Sequence, residues 1–113
     1  MRTILALQLT LWAASATAQA LPEIPQNDVD AACARTASQQ VAPFCVRQEQ
    51  EAYDRLQEIW PLLSDYSRND ALRATKQIFG TANYYTGLFR YASGRLTIDQ
   101  QQRSASSSPR FRP

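Results

Sequence analysis

Cys33 and Cys45 are the only two cysteines in the chain, with eleven residues between them. No other feature constrains the fold as much, because their chemistry decides whether two neighbouring segments are tied together. A structural zinc site takes about four ligands, and with no histidine and no third cysteine only carboxylates would be left to complete one. Thioredoxin-type redox pairs sit at C-x-x-C spacing, which eleven intervening residues do not match. A structural disulfide is the remaining chemistry, and it requires an oxidising compartment.

The start of the chain points to such a compartment. "MRTILALQLTLWAASATAQA" places a charge at Arg2, a mostly apolar run over residues 3–14, and small residues ending in Ala18-Gln19-Ala20. This is the order of a secretory signal peptide. Cleavage is expected after Ala20, with Ala18 as the alternative, and the location is the periplasm of a bacterium or the medium outside it. The apolar run is too short to span a bilayer as a stable helix. In that setting the expected disulfide is Cys33–Cys45, and closing such a loop is worth about 3 kcal/mol in the chain-entropy model.

Subtracting 20 residues from 113 leaves 93, enough for one small domain that benefits from a covalent staple. The charge is divided unevenly. Residues 21–65 hold eight acids and three arginines, net −5, and residues 66–113 hold eight bases and two acids, net +6. The expectation is that the two halves pack as complementary helices. A basic second half meeting an anionic surface is the lesser reading. A near-neutral exported chain argues against nucleic acid.

Helical periodicity dominates, so the expected fold is all-α: a small hairpin or bundle of three to four helices with one disulfide. Residues 21–26, "LPEIPQ", read as an extended lead, and residues 27–98 as the helical domain. Asn27 or Asp28 caps a first helix, with Asp30 placed like a capping-box partner. Pro43 opens a second helix, "CVRQEQEAYDRLQEIW". Its apolar face is Cys45, Ala52, Leu56, Ile59 and Leu63, flanked by Tyr53 and Trp60, and Pro61 ends it. A third helix is expected to start near Ser67 and to bury Leu72, Thr75 and Phe79. Gly80 and Gly94 are expected as helix ends. Between them lies a helix of about twelve residues containing Gly87, with a stripe through Ala82, Thr86 and Phe89. The last segment, 99–113, is rich in Gln, Ser and Pro and is expected to be disordered.

Few residues suggest chemistry. Histidine is absent, and with it the usual acid–base group near neutrality. Glu51, Asp54 and Glu58 line up as a solvated helix face rather than as a calcium loop, which folds its oxygens inward. The reading is therefore a non-enzyme with no cofactor and no metal. Tyr84, Tyr85, Arg90, Tyr91 and Arg95 form the candidate contact surface for a protein or envelope partner. Membrane contact by the tail through Arg103, Arg110, Arg112 and Phe111 is a weaker expectation.

The run Gln48-Glu49-Gln50, Ala52-Tyr53-Asp54, Leu56 and Trp60 resembles small exported cysteine-bearing helical proteins of rhizobia and related alphaproteobacteria. Those proteins carry a second, downstream cysteine pair, where this chain has none around Ala71 or Arg90-Tyr91. The C-x11-C hairpin is also similar to the N-terminal module of a lysozyme inhibitor. That likeness implies the alternative function, inhibition of a cell-wall lytic enzyme. Neither likeness implies a catalytic residue.

Overall fold

The computed structural model describes residues 23–107. The expected leader, the first two residues of the lead, and Arg110, Phe111 and Arg112 lie outside the described residues. Within them the chain forms four α-helices and no strand. These are α1 (Val29–Thr36), α2 (Ala42–Ile59), α3 (Asp65–Ala74) and α4 (Tyr84–Ser107). Two 3-10 turns, Trp60–Leu62 and Lys76–Ile78, connect α2 to α3 and lead out of α3. This is the small all-α bundle expected from the periodicity.

Local chemistry sets the boundaries. Asp28 caps α1 by accepting from the Ala31 N–H at 3.1 Å. Asn27 is therefore free for another task. Its side chain accepts from Gly80 N–H at 2.8 Å and donates to the Thr81 carbonyl at 3.0 Å. Pro43 occupies the first turn of α2, where no N–H is needed. At the far end Pro61 has neither the N–H nor the room to continue, so the chain tightens into a 3-10 turn and Leu63 becomes extended. The third helix starts earlier than expected. Ser64, not Ser67, is its cap, accepting from the Ser67 N–H at 3.1 Å.

Gly80 has φ +90°, a conformation that a Cβ disfavours, but it lies beyond the helix end expected there: α3 stops at Ala74 and the second 3-10 turn at Ile78. Gly94 does not end a helix. α4 passes through it and continues through Asp99 to Ser107, which corrects the expectation of a disordered segment from residue 99. Gln, Ser and Arg tolerate a helix that is already nucleated and anchored by packing. Composition alone overstated the break.

The core lies between α2, α3 and α4, with α1 set against α2. Its buried members are Ala52, Leu56, Trp60, Leu63, Ala71, Tyr84, Tyr85, Leu88 and Ala92. A smaller cluster of Ala32, Cys33 and Ala82 lies under α1. The bonded Cys33–Cys45 pair joins the two helices of that hairpin with Cα atoms 5.8 Å apart. Two expected faces hold only in part. Of the face expected for the third helix, Thr75 is buried and Leu72 packs against the core, but Phe79 stays exposed and α3 also buries Ser67, Arg68 and Ala71. In α4 the inner seam is Tyr85, Leu88, Ala92 and Asp99 rather than a stripe through Thr86 and Phe89.

Candidate interaction surface

Acidic groups in the interior are where catalysis would be sought first. Glu49 is 1% exposed and Asp99 5%, and each closes the end of a different helix. A helix start leaves N–H groups without partners and carries a partial positive charge. Glu49, on α2, reaches the start of α4. It accepts from the Tyr85 N–H at 2.7 Å, from the Thr86 N–H at 3.2 Å and from the Thr86 hydroxyl.

Asp99, on α4, does the same for α3. It accepts from the Ser64 N–H at 2.9 Å and from the Ser67 hydroxyl at 2.8 Å. Arg95 Nε in turn donates to the Ser67 hydroxyl at 3.1 Å. Burial pushes the Asp99 carboxyl up, but the Ser64 N–H, the Ser67 and Ser64 hydroxyls and the Arg95 charge outweigh it and hold it below its ordinary value. A depressed carboxyl stabilises the fold above the unfolded-chain value, near pH 4, and that contribution is lost as pH falls through the folded value. Urea titrations below pH 4 are expected to show a stability loss that Asp99→Asn reduces. An identical acid limb in the variant would contradict the assignment.

Arg68 is the cationic counterpart. Its guanidinium donates to the Trp60 carbonyl at 3.1 Å and to the Leu63 carbonyl, and it pairs with Asp65. Among the described residues the ion pairs are Arg68–Asp65 and Arg73–Asp70, both within α3. α2 of the acidic half does pack on α4 of the basic half, but no ion pair among the described residues ties the two together. Carboxylates on helix starts do that work.

The candidate contact residues divide into two groups. Tyr84 and Tyr85 are 2% and 3% exposed, so neither belongs to a contact surface. Tyr84 packs edge-on against the Phe79 ring, and Tyr85 fills the space between α2 and the lead. Tyr85 stacks on Tyr53 at 4.8 Å, and its hydroxyl donates to the Pro25 carbonyl at 2.8 Å and accepts from the Asn27 N–H at 2.7 Å. Burial raises both hydroxyls above the ordinary tyrosine value. A raised value means stability that is complete below about pH 10 and is lost above it. Alkaline titration followed by tyrosinate absorbance is expected to show a late fraction coincident with unfolding. Tyr85→Phe should diminish that fraction, and an unaltered titration curve would contradict the burial.

Arg90, Tyr91 and Arg95 lie together on the outer face of α4. They border a groove of about 450 Å³ with Gly87, Gly94 and Ile98. Tyr91 and Arg95 are held in place. The Tyr91 hydroxyl donates to Asp70 at 2.7 Å, an acid that also takes Arg73 at 3.0 Å. The Tyr91 bond, then Arg73, holds the Asp70 carboxyl below its usual range, and the same bond raises the Tyr91 hydroxyl. Arg95 lies over the exposed Tyr66 ring at 5.2 Å.

Among the described residues no group of three or more acidic or cysteine side chains is placed to hold a metal ion, and no helix is long and apolar enough to cross a membrane. No family model, no curated protein and no solved structure matches the chain. Sequence periodicity missed Glu49 and Asp99. The available signal was a carboxylate at a seam position: Cys45, Glu49, Ala52, Leu56, Ile59 and Leu63 alternate at spacings of four and three.

Proposed function

We propose that this is an exported protein that works without catalysis, by holding a protein or envelope component against the outer face of α4. The observation that carries this reading is the fixed Tyr91–Asp70 and Arg95–Tyr66 arrangement beside an open groove. Side chains already immobilised lose little entropy on binding, which favours recognition. The non-catalytic part is supported by the use of the interior acids: Glu49 and Asp99 spend their lone pairs on helix starts. Export is supported by the signal-like leader and by the cysteine pair, which suits an oxidising compartment.

The test is chemical crosslinking in native envelope extract, comparing the wild type with Arg90→Ala/Tyr91→Ala. Loss of a discrete crosslinked species in the variant is expected. An unchanged pattern would remove the α4 face from the reading. A lysozyme assay with purified mature protein covers the alternative suggested by the C-x11-C hairpin, and clear inhibition there would replace this proposal.

A further inference from the structure

α4 carries a second seam on its flank, about 110° around the helix from its buried one. Gly87, Tyr91, Gly94 and Ile98 follow one another at spacings of four, three and four. Tyr91 and Ile98 are each 38% exposed. Small and large residues therefore alternate along an open helix face, as hollows and knobs. Gly94 is the telling position. Its φ is not positive, and a Cβ built there meets nothing within 4 Å. Neither the backbone nor internal packing requires glycine, yet in a helix interior it costs about 1 kcal/mol against alanine. Gly87 differs, because a Cβ there would lie 2.6 Å from the Ile78 Cδ1. The open hollow is therefore centred on Gly94.

A hollow between two knobs at coiled-coil spacing is the relief into which a second helix seats. The charge of the groove selects among helices. Its charged lining residues are Arg90 and Arg95. Asp70, which reaches the groove edge through Tyr91, is already engaged by Tyr91 and Arg73. Arg95 is likewise engaged, donating to the Ser67 hydroxyl and lying over the Tyr66 ring, whereas Arg90 takes part in neither ion pair of the described residues. We infer that this groove docks an acidic amphipathic helix of another protein, with an apolar side chain over Gly94 and a carboxylate on Arg90. The inference rests on the outer face of α4 being the binding surface, and it adds the chemistry of the occupant. An anionic lipid surface would answer the two arginines but has no use for a hollow in register with two knobs.

The probe is a synthetic helical peptide with leucine and alanine on one face and glutamate on the other. It is titrated into the labelled full-length protein by NMR. Its glutamine counterpart and phosphatidylglycerol vesicles serve as comparisons. The acidic peptide is expected to shift the Gly94 and Ile98 amides, and the glutamine peptide to bind about tenfold more weakly. Added salt should weaken the complex. Gly94→Leu has open space for its side chain, so it should fold normally and lose binding. Arg90→Glu should lose about tenfold. Equal binding by Gly94→Leu, equal affinity for both peptides, no binding of the acidic peptide, or groove shifts with vesicles alone would each overturn the inference. If the peptide fails while crosslinking still depends on Arg90 and Tyr91, only the acidic helix is wrong. If crosslinking is also indifferent to them, the binding surface falls with it.

Discussion

Replacing Glu49 by alanine is expected to lower stability by about 3 kcal/mol, seen as a shift of the urea midpoint and a fall of roughly 15 °C in Tm for a domain of this size. Two terms compete. Removing a buried carboxylate relieves a desolvation cost of several kcal/mol, and exchanging buried ionic groups for apolar ones is often harmless. Here the partners cannot be exchanged with it. They are the backbone N–H groups of Tyr85 and Thr86 at the start of α4, and each orphaned buried donor costs about 1–3 kcal/mol. The positive end of the helix adds up to about 2 kcal/mol in a partly buried geometry. The loss therefore exceeds the relief. Glu49→Gln should recover part of it, because one carbonyl oxygen remains as an acceptor. A glutamine variant as weak as alanine would mean that charge, not hydrogen bonding, carries the joint. An alanine variant as stable as the wild type would remove the joint from the account.

The second large effect is covalent. Cys33→Ser with Cys45→Ser should cost about 3 kcal/mol through the freed loop, a large share of the stability of a domain this small. Cys33 is fully buried, so serine hydroxyls left there add a desolvation penalty. The remaining clasp is slight. Ala32, Cys33 and Ala82 form a cluster far smaller than the main core. Hydrogen exchange should show α1 opening in the variant while α2 and α4 keep their protection. Protection of α1 equal to that of the wild type would show that packing alone holds it.

The helices were legible where one physical cause dominates. Pro43 and Pro61 bound α2 in the sequence as in the structure, because proline acts locally. Asp28 is likewise decided by its nearest neighbours. The errors fall where a distant partner decides. Tyr85 looks like an exposed aromatic beside arginines, but α2 and the lead cover it from more than thirty residues away in sequence. Glu49 and Asp99 read as ordinary polar residues because each serves a helix start far along the chain. Residues 99–107 have the composition of a tail, yet the buried seam through Leu88, Ala92 and Asp99 carries the helix onward.

The central claim is that the buried charges of this protein join its helices while the outer face of α4 does the binding. Site-specific photocrosslinking tests it most directly, with the reactive group placed at Ile98 on that face or at Glu58 on the exposed side of α2. In native cells the account predicts one crosslinked protein from position 98, abolished by Gly94→Leu, and none from position 58. Crosslinks from position 58 alone, or crosslinks from position 98 that persist in Gly94→Leu, would contradict it.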